Sequence, residues 1–271
     1  MKKTAALLAG ALLVGSMGYS SAAAAQSSPN PSPRISAAIT GSVPNTALYQ
    51  PVKYKFTKAV SQSAVTWKGN QLTLMALKTV ANSEEVVNPE QKVLGSMNLT
   101  YGDKKFTIPF SERPVDIRSL SLSASKDYLA VSAEYSAGSK LYIVNLSTGK
   151  FVILNDVLEA KGKGFVESVS AFNWAPSGSQ LAFAYGDTSE SYPALYDAKT
   201  GKLTSIYSKV KYISTAAVLW HKNGKGFDFI SESPSDRFKL YRYSVGGAIK
   251  AVKTIERNDM AKWLKFDSKQ A

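Results

Sequence analysis

The chain is built on a repeat, and that repeat restricts the fold more than any other feature of its 271 residues. Four short turn-like segments recur: Asn98-Leu99-Thr100-Tyr101-Gly102, Asn145-Leu146-Ser147-Thr148-Gly149, Asp197-Ala198-Lys199-Thr200-Gly201 and Tyr243-Ser244-Val245-Gly246-Gly247. Their final glycines recur at spacings of 47, 52 and 46. Each offers a position that tolerates positive φ between two strand-like runs, as a tight hairpin requires. A second turn lies upstream in three repeats: Ser125-Lys126-Asp127, Pro176-Ser177-Gly178-Ser179 and Lys222-Asn223-Gly224-Lys225. Leu122, Trp174 and Trp220 precede these turns, and each stands at the same offset before its repeat's final glycine, Gly149, Gly201 or Gly247. Trp67, followed by Lys68-Gly69-Asn70, suits the same role in the first repeat at a longer offset, with the extra length looped out within 81–91.

Each unit therefore holds four short strands and two polar turns. Four strands repeated at a period of about 45–50 are the signature of a β-propeller blade, whose sheet buries its faces by stacking on its neighbours. The competing fold is an ordinary β-sandwich of hairpins, which rarely repeats two turn types at constant offsets. The run Trp174-Ala175-Pro176-Ser177-Gly178-Ser179-Gln180-Leu181-Ala182-Phe183 resembles the S-P-D-G-K-x-I/L-A-F motif of TolB-like, WD40-like propeller repeats. Leu141-Tyr142-Ile143-Val144-Asn145-Leu146-Ser147-Thr148-Gly149 is similar to their I-Y-V-M-D-x-x-T-G motif, and 221–229 is a looser copy of the first. Ser177 stands where the family has Asp, and the first repeat lacks the Pro-Asp-Gly turn. The resemblance implies structure rather than chemistry, since the family includes binding proteins and accessory domains of peptidases. The expectation is an all-β propeller over 47–271, with four-stranded blades near 64–110, 116–155, 166–208 and 213–256. The strand-like segments 49–56 and 262–266 are left to close the ring or to begin a partial fifth blade.

Segment 1–25 reads as a secretory signal peptide: Lys2 and Lys3, a short apolar run over 5–14, and Ala23-Ala24-Ala25 before Gln26. The apolar run is well short of the ~20 residues of a membrane span, and a chain without cysteine has none to carry a lipid anchor. Segment 26–46, with four prolines and no apolar periodicity, reads as a disordered linker. Export as a soluble protein follows, and it changes what the net charge of +13 can mean. Nucleic acid gives way to proteins, anionic envelope polymers or lipid head groups, the last by peripheral contact without a span. Six arginines against 27 lysines also argue against bidentate readout of bases. Segments 26–115 and 239–271 each carry an excess of five positive charges, whereas 166–238 is neutral. One basic sector is expected where the chain's two ends meet.

The search for chemistry is mostly negative. The lack of cysteine excludes thiolate nucleophiles, Cys-ligated zinc and disulfides, and a single histidine disfavours multi-His metal sites and His-based triads. His221 follows Trp220 and reads as an exposed turn residue. Neither a G-x-S-x-G elbow nor a Gly-rich phosphate loop is present. No catalytic residue, metal or cofactor is assigned. Trp174 and Trp220 read as interblade packing, and Glu84 and Glu85 as a solvated acidic tip. In a propeller the strand 2–3 loops and interblade loops share one face, here 135–139, 185–192, 231–237, 155–166 and 208–212. Variable loops on a rigid scaffold carry binding functions. Tyr135, Lys161, Lys163, Asp187, Glu190, Tyr192, Asp236 and Arg237 are therefore the candidate contacts. The expected function is a secreted, non-catalytic module binding a protein or an anionic envelope polymer. Two alternatives stay open: a carbohydrate-active enzyme using loop carboxylates such as Asp187 and Glu190, and an accessory module that needs a partner to complete its ring.

Overall fold

The computed structural model describes residues 44–82, 91–233, 237–267 and 269. The expected signal peptide, the expected linker up to residue 43, Glu84, Glu85 and Asp236 lie outside the described residues. Strand is the predominant regular structure, and the strands form four consecutive antiparallel meanders. The first holds β1 (Thr57–Val60), β2 (Ala64–Gly69), β3 (Leu72–Val80), β4 (Lys92–Tyr101) and β5 (Lys104–Pro109). The second holds β6 (Asp116–Leu122), β7 (Tyr128–Glu134), β8 (Ser139–Asn145) and β9 (Phe151–Ile153), and is followed by helix α1 (Leu154–Ala160). The third is β10 (Ser168–Trp174), β11 (Gln180–Gly186), β12 (Ser191–Asp197) and β13 (Lys202–Ser205). The fourth is β14 (Thr215–Trp220), β15 (Gly226–Glu232), β16 (Phe238–Ser244) and β17 (Ile249–Ile255), after which helix α2 (Arg257–Phe266) begins. Each meander has the consecutive strand order of a propeller blade, but the first holds five strands where four were expected, because the chain before residue 64 adds β1 to the free edge of β2. No strand pairing joins the fourth to the first among the described residues.

The blades are stitched by one repeated bond. The first residues of strand three donate a backbone N–H to the segment that leads into the next blade: Leu94 to Pro114 (2.7 Å), Ser139 to Glu167 (3.1 Å) and Ser191 to Tyr212 (2.8 Å). The side chains then divide by parity, because neighbours on a strand point to opposite faces. In the second blade Leu129, Val131, Tyr142 and Val144 face the first, and Ala130, Leu141 and Ile143 face the third. The third blade turns Trp174, Leu181, Phe183 and Tyr196 backward and Ala171, Ala175, Ala182, Leu195 and Ile206 forward. The fourth turns back Trp220, Phe227, Phe229, Tyr241 and Tyr243. Large backward faces thus meet smaller forward ones, which lets adjacent sheets interdigitate. Two indoles add direction: Trp174 donates to the carbonyl of Ser121 and Trp220 to that of Asn173, both at 2.9 Å.

The two ends of the series break this rule, each in its own way. Trp67 does not play the part of Trp174. It packs forward, and its indole donates to the Ile117 carbonyl of the second blade at 3.2 Å. With no described blade before it, the first meander buries its large residues on its forward face. Its other face, by register, carries Thr66, Lys68, Thr73, Met75, Asn98 and Thr107, none of them buried. At the far end the forward face of the fourth blade (Ala217, Leu219, Ile230, Leu240) is covered by Trp263, Met260 and Phe266 of α2, with Tyr49. The segment 262–266, expected as a possible fifth-blade strand, is therefore helix: Trp263 and its i±3 neighbours Met260 and Phe266 lie on one helical side. The segment 49–56 supplies no strand to a fifth blade either, and β1 begins only after it. The interblade stretch 155–166, expected as loop, opens with α1, where Asn155 fills the seam between two blades. Its amide donates to the carbonyls of Ser139 (3.0 Å) and Val166 (3.1 Å) and accepts from the Leu141 N–H (3.1 Å).

The lead-in before β1 is tied down by a buried carboxylate. Asp228, on β15, is fully buried and receives Arg242 through Nε and Nη2, each at 2.9 Å, and the Tyr49 hydroxyl at 2.6 Å. His221 Nε2 lies 2.8 Å from the same carboxylate. His221 is thus a buried network residue rather than an exposed turn residue, a correction that follows from the Asp228 partner seven positions on. Backbone bonds from Gln50 to Trp220 (2.8 Å) and from Lys222 to Leu48 (2.9 Å) complete the clamp. Burial, and then the Asp228 charge, push the Tyr49 hydroxyl far above its ordinary range, so it stays protonated and donates. From there the strap crosses the ends of β6 and β10, with Gln50–Tyr54 lying against Ser121, Leu122 and Trp174.

The turn glycines behave as the repeat requires at Gly102, Gly149 and Gly201. In the last repeat the positive φ falls on Gly246 instead of Gly247. The first turn is also shorter than expected, since β4 runs on to Tyr101 and places Asn98 within a strand. Gly149 and Gly201 share φ 72°, but a Cβ at Gly149 would lie 2.3 Å from the Phe106 ring, whereas none meets anything at Gly201. Gly201→Ala should cost only the left-handed penalty of about 1–2 kcal/mol, and Gly149→Ala clearly more, in urea unfolding; equal losses would contradict this packing. Tyr49→Phe removes a bond to a buried charge and should cost about 1.5–3 kcal/mol in the same measurement.

Candidate functional site

The loop face comes first, because the expected contacts lie there. Tyr135 is spent on packing: its hydroxyl is 2.9 Å from that of Tyr142, and the Lys140 ammonium sits 5.3 Å from its ring centre. Asp187 closes its own turn, with Oδ1 accepting from the Ser189 N–H (2.7 Å), the Ser189 hydroxyl (2.8 Å) and the Glu190 N–H (2.8 Å). The Ser189 hydroxyl, then the backbone N–H groups, hold the Asp187 carboxyl below its ordinary range. Glu190 is bonded to the Tyr192 hydroxyl and paired with Lys211. Tyr192 is exposed and packs its ring against Tyr185 at 5.7 Å. Lys161 and Lys163 stand exposed after α1. Arg237 lies apart, in a groove with Lys239 and Arg257 at the start of β16. The structure therefore gathers Asp187, Glu190 and Tyr192 into one cluster and leaves Tyr135, the lysines and Arg237 separate from it.

Two residues of this face were not anticipated. Phe165, after Lys161 and Lys163, and Tyr207, before Lys209 and Lys211, are each 82% exposed. They sit on the connections flanking the third blade. Their signal in the sequence was an aromatic within a lysine-rich connection, where no strand period exists to bury it.

A second concave region lies where the inner strands β6, β10 and β14 run side by side. Each of these strands carries a β-bulge at an equivalent place in the repeat, at Arg118, Ser170 and Ala216, spaced by 52 and 46 like the turn glycines. A bulge re-aims the side chain it displaces. All three line one cavity of about 280 Å³, with Ser119 beside Arg118 and the tail residues Asp267 and Lys269 on its wall. The sequence does record these bulges, as apolar residues three apart where alternation demands two: Ile117 and Leu120, then Val169 and Phe172.

The tail is held inside by polar contacts. The Asn173 amide donates to Asp267 Oδ1 at 3.0 Å and to the Val218 carbonyl at 3.1 Å. The Lys269 ammonium lies 4.8 Å from the Phe172 ring centre and reaches Asp267 only at 3.4 Å. Its backbone carbonyl accepts from the Phe56 N–H at 3.2 Å. Burial raises the Asp267 carboxyl to about 6, with Lys269 and Asn173 pulling the other way. Among the described residues no three His, Cys, Asp or Glu side chains gather as a metal ion would need.

No family model matches the chain, and no curated protein matches it. Among solved structures it is similar to TolB from Acinetobacter baumannii, at 20% identity and TM-score 0.38, over 66% of this chain and 41% of that one. It is similar to a puromycin hydrolase at 12% identity and TM-score 0.40, over 74% of this chain and 29% of the other. An auxiliary nutrient binding protein from Bacteroides thetaiotaomicron VPI-5482 stands at 9% identity and TM-score 0.38, over 78% and 44%. The chain spans less than half the length of each of these three. Strand pairing and interblade packing, as given above, define the blades.

The tail makes a defined titration. With a folded value near 6 against an ordinary ~3.9, Asp267 holds an extra proton in the native state between those values. Its contribution to stability is full below about pH 4 and is lost as pH rises through about 6. Carboxyl NMR of Asp267 should give a midpoint near 6; a midpoint at the ordinary ~3.9 or lower would contradict the burial described.

Proposed function

We propose that this chain is an exported, non-catalytic propeller-like module that binds a protein or an anionic envelope polymer through its loop face. The exposure of Phe165 and Tyr207, two large rings on neighbouring connections and each flanked by lysines, carries this reading. Neither ring contributes to a core cluster, and solvent-facing aromatics beside cations suit a ligand that offers both apolar area and negative charge. Tyr192 extends the same surface. The basic sequence balance and the signal-like segment 1–25 support a partner outside the cytoplasm.

Asp187 is unsuited to the general-acid role in glycoside hydrolysis. A general acid needs a raised pKa, whereas Asp187 is held low by three donors within its own turn. The covered fourth blade and the polar outer face of the first also make a ring-completing partner unnecessary for burial.

Co-sedimentation of the chain from Gln26 onward with purified cell envelope tests the proposal. Binding should weaken with salt, fall about tenfold or more in the double variant Phe165→Ala/Tyr207→Ala, and fall again with Lys161→Glu/Lys163→Glu. Unchanged binding in both double variants would overturn the assignment of this face. N-terminal sequencing of the protein recovered from culture medium should start at Gln26, and retention of an uncleaved chain in the cytoplasm would contradict export.

A further inference from the structure

We infer that the cavity between the inner strands is a second binding site, independent of the loop face, for a small oxyanion held by Arg118 and Lys269 with the hydroxyls of Ser119 and Ser170. Arg118 stands on the bulge of β6, exposed to the cavity, and makes no hydrogen bond or ion pair among the described residues. A guanidinium offers five N–H donors in a planar fork that matches a carboxylate or a phosphate bidentately. Across the cavity Lys269 is almost fully buried, yet besides the Phe172 ring its ammonium has among the described residues only two hydrogen bonds, both 3.4 Å and both to Asp267. A buried ammonium with such long bonds still has donor capacity to spend.

The three bulges explain why there is room. They place equivalent residues of three blades at the same cavity, and the side chains shrink from Arg118 to Ser170 to Ala216. An arginine at each position would fill the space with its own repelling charges. One arginine facing a serine and an alanine leaves about 280 Å³, near the lower end of the range of small-molecule pockets, which begins at about 300 Å³. The polar lining fits a ligand that is charged rather than apolar. With Asp267 ionised, Arg118 and Lys269 leave the described wall with one net positive charge, and that sign selects an anion. Phe172 and Asn173 fix the tail that carries Lys269, so the ammonium is held in place before any ligand arrives.

The test is calorimetric titration of the chain from Gln26 onward with inorganic phosphate and, in a parallel arm, with succinate. The two arms separate a phosphate headgroup from a carboxylate. Binding of at least one anion at millimolar concentration is expected, with backbone amide shifts at Ser170 and Ala171. Arg118→Gln should weaken it about tenfold or more, and Lys269→Met similarly. Arg118 is solvent-exposed, so its variant keeps the fold even where the tail variant does not. Lys161→Glu/Lys163→Glu should leave anion binding unchanged, which separates this site from the loop face. Failure of both anions to bind at millimolar concentration, or equal binding by Arg118→Gln and the unaltered chain, would overturn the inference.

Discussion

Everything in this structure depends on one constraint: a four-stranded sheet with two apolar faces must be covered on both. In the middle of the series the sequence meets it by pairing unequal faces. Trp174, Phe183 and Tyr196 stand against Ala130, Leu141 and Ile143, and Trp220, Phe227 and Phe229 against Ala171 and Ala182. A stack built this way has two ends that lack a neighbouring blade among the described residues. Repeat proteins resolve such ends with atypical terminal units, and both devices occur here. The first blade puts threonine, lysine and asparagine on its outer face, and the last blade is covered by a helix. The buried Asp228, receiving Tyr49 and Arg242 beside His221, then fastens the incoming chain to the same last blade.

The parts of the fold that were legible in the sequence are those with a period. Strand alternation and turn glycines repeat, so β10, β11 and β12 lie where Trp174, Leu181 to Tyr185 and Ala194 to Asp197 placed them. The illegible parts are single events. Trp67 has the composition of its counterparts but the opposite facing, because facing depends on which neighbour a blade has. His221 looked like a turn residue because Asp228 carries no local mark of burial. The segment from Lys262 to Phe266 reads as strand by composition, and only the helical spacing of Met260, Trp263 and Phe266 shows otherwise.

The sites follow the same division. Of the expected loop contacts, Asp187 and Tyr135 turned out to be occupied by their own neighbours, whereas Phe165 and Tyr207 stand free of any core cluster. Residue type alone cannot separate a carboxylate that closes a turn from one that faces a ligand. The bulged positions Arg118, Ser170 and Ala216 are different: they repeat, and each leaves a break in alternation. A repeat searched for its irregularities as well as its regularities would have brought them together.

The helix that stands in for a further blade is the central claim, and Trp263 is its core contact. The indole is almost fully buried against Tyr49 and the forward face of the fourth blade, although its N–H finds no partner among the described residues. Urea unfolding of Trp263→Ala tests the claim most directly. If α2 is the cover that completes the stack, the variant loses about 3–5 kcal/mol, as for a tryptophan removed from a core. A loss under about 1 kcal/mol, within the range of surface substitutions, would mean that the last blade is covered by something else.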